Sequence, residues 1–331
     1  MHIDSCSILR QRTRIALCLA LLALPLLCNA AELKPEDVVA KHLDSIGNAE
    51  ARKAIKSRAV QGTAQYKILV GGAGTLDGKA VMVSEGDKMR LLLKFENNDY
   101  KGEQFVSDGN RLEVAATTAQ RSRSPLGDYI YSQNTAVHEG LFGGVLSTAW
   151  PLLDLDERKP KLSYEGVKTV DGHQAYMLRY KPKKGSDQNI DLYFDQETYR
   201  HVLTVYTLTV HPHVGQGTSY QSAGGANVPV QMTQTSTADQ LKGNAPYDPN
   251  LSSTGGVSPE QAQARQQDTR YRIEEHFSDF KTADGLTLPT HYDIHFSREL
   301  QSGATSVYEW DVKVNDIGAN VSLDPRNFQP K

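Results

Sequence analysis

Residues 161–210 alternate apolar and polar side chains with a period of two, and turn residues interrupt the alternation at short intervals. Tyr176, Leu178 and Tyr180 share one parity against Arg179 and Lys181. Ile190, Leu192 and Phe194 likewise alternate with Asp191, Tyr193 and Asp195. Successive side chains of a strand point to opposite faces, so each segment has one apolar face and one polar face. Asp171-Gly172 suits a two-residue hairpin, because the type I′ turn needs positive φ and its twist matches the flanking strands. Lys184-Gly185 and residues 195–198 mark the next two turns. Such a stretch folds as an antiparallel meander.

The same pattern extends along the chain. Pro35 opens a helical segment in which Val39, Leu43 and Ile46 share a face, and Gly47 closes it before a second short helix over 49–56. Strands are expected over 58–70, 78–84, 88–96, 102–107 and 111–117, with Leu91, Leu93 and Phe95 on one face of the third. The polar segment 119–134 reads as loop. Leu141, Phe142, Val145, Leu146, Ala149 and Trp150 then recur at helical spacing, which predicts one apolar helix over 141–150, ended by Pro151. Strands resume over 271–280, 291–296 and 306–314. Roughly a dozen strands joined mostly by short turns predict a mainly β protein built on an antiparallel sheet. Residues 211–268 lack periodicity and are rich in Gly, Ser, Gln, Asn, Thr and Pro, the composition of a low-complexity insert.

The N-terminus has the features of an export signal over residues 1–30. Arg10, Arg12 and Arg14 precede a short apolar run over 15–27, and Cys28-Asn29-Ala30 supplies small residues before a cut at Ala31. Lipid anchoring through Cys28 is disfavoured, since Leu27 stands where a small residue is required. The expected product is a soluble, exported, periplasmic chain with no transmembrane segment. All three cysteines, Cys6, Cys18 and Cys28, lie in that leader, so the remainder has no disulfide and no thiolate chemistry. The formal charge of −3 becomes −5 once three arginines and one aspartate leave with the leader. That balance argues against nucleic acid as a partner.

No constellation demands catalysis. The glycines at 71–74 lack the following Gly-Lys-Ser/Thr of a phosphate loop, and neither H-E-x-x-H nor G-x-S-x-G occurs. His211-Pro212-His213 has no nearby Cys, Asp or Glu to complete a ligand set. His291, Asp293 and His295 share one strand face, but residues four apart on a strand are separated by roughly 13 Å, too far to chelate one ion together. The clusters Asp154, Asp156, Glu157 and Asp191, Asp195, Glu197 read as solvated turns, although a glycosidase pair distant in sequence remains compatible with the chain.

Residues 166–180, 190–204, 277–296 and 308–317, together with the paired helices at 35–56, resemble the LolA/LolB-like periplasmic lipoprotein carriers and outer-membrane lipoprotein-sorting-like proteins. The resemblance implies one domain over 31–331: a curved antiparallel sheet, or incomplete β-barrel, with N-terminal helices and an inserted helix packed in its open side. It also implies a non-catalytic carrier without a cofactor, whose partner is a hydrophobic ligand or an acylated protein. The candidate lining is Leu91, Leu93, Phe95, Tyr176, Leu178, Tyr180, Leu192 and Phe194 from the sheet, with Phe142 and Trp150 from the predicted helix. A sensor or scaffold that binds an envelope protein partner on the same fold is the alternative, and a secreted hydrolase the third reading.

Overall fold

The computed structural model describes residues 33–117, 123–211 and 268–330. The expected leader at 1–30 and nearly all of the expected insert at 211–268 lie outside those residues. Twelve strands form one antiparallel, curved, open sheet in the order β5-β4-β3-β2-β1-β14-β13-β10-β9-β8-β7-β6. The first half comprises β1 (Ser57–Val70), β2 (Gly74–Glu85), β3 (Lys88–Phe95), β4 (Gly102–Ser107) and β5 (Leu112–Ala116). The second comprises β6 (Lys161–Val170), β7 (His173–Lys181), β8 (Asn189–Asp195), β9 (His201–Val210), β10 (Thr269–Ser278), β13 (His291–Leu300) and β14 (Thr305–Ala319). A small hairpin of β11 (Lys281–Ala283) and β12 (Leu286–Leu288) stands apart. Helices α1 (Pro35–Ile46) and α2 (Ala49–Ala54) precede the sheet, α2 ending two residues earlier than the sequence suggests.

The meander forms as expected. Asp171 and Gly172 both take positive φ, 48° and 84°, as do Asp284 and Gly285 at 52° and 76°. The two halves meet at β1–β14, where β14 accommodates one extra residue, Asn315, opposite the step from Gln61 to Gly62. Bulges of this kind bend a strand and increase its twist, and further ones lie at β6–β7 and β8–β9. Gly62 permits the close approach at the first: a Cβ there would lie 2.1 Å from the Lys313 carbonyl oxygen. Gly62→Ala is expected to lose about 1–3 kcal/mol, because backbone on a central strand pair must shift. Chemical denaturation measures it, and an unchanged midpoint would show that the sheet yields there at little cost.

The topology dictates what closes the sheet. Strands β5 and β6 are consecutive in sequence yet lie at opposite edges, and residues 123–160 between them lie across one face of the sheet. This crossing segment carries α3 (Pro125–Ser132), α4 (Thr135–His138), two 3-10 turns (Gly144–Leu146 and Pro151–Asp154) and α5 (Leu155–Arg158). We call it the plug. Two expectations fail here. The segment 119–134 is not all loop: Ser124 caps α3 by accepting from Gly127 N–H at 3.0 Å, and Pro125 occupies the first helical turn. The predicted helix over 141–150 does not form. Gly140, Gly143 and Gly144 take positive φ of 71°, 83° and 50° and fold the chain into bends around a single 3-10 turn. Its apolar residues are nevertheless all buried, as the periodic stripe implied.

Candidate functional site

The plug and the sheet face beneath it form the most chemically organised region of the molecule. Val60, Ala64 and Tyr66 of β1, Met82 of β2, Leu91, Leu93 and Phe95 of β3, and Trp310, Val312 and Val314 of β14 contribute to one continuous apolar face. Ile294 and Phe296 of β13, Leu192 and Phe194 of β8, and Leu178 and Tyr180 of β7 extend it across the second half. The structure places nine of the ten candidate lining residues in this core, each at most 2% exposed: Leu91, Leu93, Phe95, Phe142, Trp150, Leu178, Tyr180, Leu192 and Phe194. Phe142 lies 5.5 Å from Phe105, while Trp150 stacks on His201 at 4.6 Å. Tyr176 is the exception. It is half-buried at the rim, 5.4 Å from Tyr199.

Among the described residues, three spaces adjoin the plug or the sheet beside it. A void of about 10 Å³ is lined by residues that include Met82, Leu91, Leu146, Tyr292 and Val314. A second, of about 40 Å³, lies among Arg58, Val145, Trp150 and Leu286. Beside the β11–β12 hairpin an open cleft of about 240 Å³ is lined by Leu286, Leu288, Val314, Ile317 and Arg58, among others. Val314 borders both the cleft and the smallest space, and Arg58 and Leu286 border the cleft and the second, so the cleft adjoins both smaller spaces. Small-molecule sites usually offer about 300–1,000 Å³, more than any of these.

Polar groups hold the plug onto this apolar face. Glu275 on β10 is fully buried and accepts from Tyr206 Oη at 2.7 Å, Tyr292 Oη at 2.5 Å and the plug's Gly143 N–H at 2.7 Å. Burial pushes its carboxyl up to about 7, against the three hydrogen bonds that favour the charged form. Arg58 on β1, also buried, donates to the Val145 carbonyl at 2.5 Å, and burial lowers its guanidinium to about 10. Glu103 on β4 accepts from the Ser124 hydroxyl at 2.5 Å and is raised by burial. The Trp150 indole N–H donates to His42 Nε2 at 3.1 Å, while His42 Nδ1 faces the Tyr199 carbonyl at 3.1 Å. Those partners fix a neutral imidazole with its proton on Nδ1, and burial lowers its pKa to about 3. His201, stacked under Trp150, is lowered in the same direction by the same cause.

Sequence reasoning missed these anchors. Glu275 shares its strand parity with Ile273 and Phe277, so a lone acid in an apolar row was the available signal. Glu139, Tyr180 and Arg158 supply another, partly buried linkage: Glu139 Oε2 accepts from Tyr180 Oη at 2.7 Å, and Arg158 Nη1 donates to the Glu139 carbonyl at 3.1 Å. Nothing in this arrangement pairs a nucleophile with a base around an open space.

No protein-family model matches the sequence, and no curated protein matches it significantly. Solved structures similar to it include a LolA superfamily protein from Nitrosomonas europaea, at 12% identity and TM-score 0.40, covering 90% of this chain and 98% of the other. An outer membrane lipoprotein-sorting domain from Vibrio parahaemolyticus aligns at 11% identity and TM-score 0.36, covering 88% and 97% of the two chains. The MucA/MucB complex of Pseudomonas aeruginosa aligns at 13% identity and TM-score 0.20, covering 86% and 100%. These likenesses are distant.

Proposed function

We propose that this chain is an exported, periplasmic, non-catalytic carrier that takes a lipid-like ligand, such as the acyl chains of a lipoprotein, between the sheet and its plug. One observation carries the reading. A continuous apolar and aromatic face is covered by a segment that belongs to neither half of the sheet and is bent at three positive-φ glycines. The plug lies on that face through side-chain packing and a few discrete polar anchors, whereas the strands are joined by continuous hydrogen-bond ladders. The spaces seen beside the plug among the described residues are each smaller than an acyl chain needs, so in this reading the plug moves away from the face on loading. The cleft beside β11–β12 is the entrance this route favours. Among the described residues no helix is long and apolar enough to cross a membrane.

The experiment is a titration of the mature chain with a fluorescent fatty-acid probe, alongside mass spectrometry of lipids retained after mild purification. Saturable probe binding, displaced by the co-purified lipid, is the expected result. A chain that carries no lipid and binds no acyl probe would overturn the reading. A second reading, a scaffold for an envelope protein, is favoured by β6. Among the described residues this edge strand pairs only with β7 and leaves Val167 exposed. Edge strands offer unpaired backbone groups to an incoming strand. Capture of a partner without bound lipid, abolished by proline at the β6 edge, would support it.

A further inference from the structure

We propose that Glu274, His276 and His295 form a binding site for a divalent transition-metal ion such as Zn²⁺ on the outer face of the sheet, away from the plug. Glu274 and His276 alternate with the inward Ile273, Glu275 and Phe277, so both point outward from β10. The β10–β13 register sets Glu274 opposite His295, and the His276 and His295 rings lie diagonally, with centroids 5.2 Å apart. Two histidines that a single strand would hold too far apart are thus replaced by a pair drawn from neighbouring strands.

The atoms are arranged as ligands of one ion. Glu274 Oε2 lies 3.8 Å from His276 Nε2 and 4.0 Å from His295 Nδ1. One ligand atom from each of the three residues lies within 4.8 Å of the others. Bonds of about 2.0–2.2 Å bring neighbouring ligand atoms to about 3.0–3.5 Å, a small contraction for half-exposed side chains. The 3.8 Å separation is too long for a hydrogen bond, and His276 Nε2 is buried without any hydrogen-bond partner.

The far side of each ligand is held in the manner of a metal site. His276 Nδ1 faces Asp171 Oδ2 at 3.4 Å, from the β6–β7 turn, and His295 Nε2 faces Glu309 Oε2 at 3.2 Å, from β14. A proton donated to each carboxylate leaves a lone pair on the nitrogen nearest Glu274. Carboxylates that orient the other ring nitrogen are the usual outer support of metal-bound histidine. Arg272 donates twice to Glu274 Oε1, at 2.8 and 2.5 Å, which leaves Oε2 for the ion. Two imidazoles and one carboxylate leave a coordination position for water, a donor set suited to Zn²⁺ and its neighbours and unlike the all-oxygen shells of Ca²⁺ or Mg²⁺. The adjacent trio His291, Asp293 and Asp311 differs. Both His291 nitrogens already have hydrogen-bond partners, Ser278 and Asp311, and the Lys67 ammonium lies 3.8 Å from Asp311 Oδ2.

The test is a Zn²⁺ titration of the tag-free mature chain against a chromophoric chelator. One ion per chain is expected. His276→Gln and His295→Gln should each weaken binding at least tenfold, while His291→Gln should leave it unchanged. Glu309→Gln, which removes a support and no ligand, should weaken it by about tenfold. Melting of each metal-free variant checks folding; if His276→Gln melts early, Asp171→Asn probes the same ligand without altering it and should also weaken binding. Absence of stoichiometric Zn²⁺ in the wild type would overturn the site and leave an ion-paired imidazole cluster. Wild-type affinity in the His276→Gln/His295→Gln double variant, or an equal loss in His291→Gln, would overturn the assignment to these residues.

Discussion

Trp150→Ala should lose about 3–5 kcal/mol of stability, while Trp150→Phe should lose only about 1–2 kcal/mol. The indole is 1% exposed, stacks on His201 at 4.6 Å and donates to His42 at 3.1 Å. Truncation to alanine removes the packing and opens a cavity. It also leaves His42 Nε2 buried without a donor. Phenylalanine preserves most of the packing, giving up part of the ring system together with that hydrogen bond. Denaturant titrations of the three proteins measure both values. A loss below about 1 kcal/mol for Trp150→Ala would mean that the plug contributes little to the ligand-free fold. The close-packed environment sharpens a question raised by the sequence, where Trp150 and Phe142 stood as candidate cavity lining. Both are core residues, and under the proposed carrier role they meet a ligand only if the plug opens.

The second large effect is electrostatic. The Glu275 carboxyl is raised from an ordinary value near 4.5 to about 7, chiefly by burial. Between those values the folded chain binds a proton that the unfolded chain has released. The stabilisation is therefore fully present below the unfolded pKa and is lost as pH rises through about 7. The shift corresponds to about 3 kcal/mol. His42 has the opposite sign: with its pKa lowered to about 3, stability is gained as pH rises from there towards the ordinary histidine value. The wild-type profile mixes the two, and a Glu275→Gln comparison separates them. The stability of wild type relative to Glu275→Gln should fall by about 3 kcal/mol between pH 4.5 and pH 8. A constant difference across that range would show that Glu275 is not the proton-binding group. Because Glu275 accepts from Gly143 N–H, the same titration acts on the plug's attachment.

The strands, their parities and the Asp171-Gly172 turn were legible because each depends on residues close in sequence. Asp171-Gly172 and Asp284-Gly285 fold as their φ preferences require. The segment 141–150 was misread because apolar spacing was weighed without Gly140, Gly143 and Gly144. Those glycines allow a bent chain to bury the same side chains that a helix would. Helix α3 was missed although Ser124-Pro125 is a helix start, since its polar surroundings outweighed that local signal. The plug anchors could not be paired from sequence: Glu275 meets Tyr206, Tyr292 and Gly143 only through strand order. The His291, Asp293 and His295 row was legible as a polar face. Its chemistry was not, because the partners Glu274 and His276 come from the neighbouring strand.

In the proposed carrier, ligand enters only when the plug leaves the sheet. All three cysteines lie at positions 6, 18 and 28, within the expected leader, so the mature chain offers a background without thiols. Ser84 Oγ on β2 accepts from the plug's Thr148 N–H at 2.9 Å, so the two residues touch across the seam between sheet and plug and are the pair to convert to cysteines. The measurement is acyl-probe binding by the Ser84→Cys/Thr148→Cys variant, with bond formation verified by thiol titration, before and after reduction. The oxidised protein should bind no probe, and reduction should restore binding to the wild-type level. Undiminished binding by the oxidised, locked protein would contradict the account.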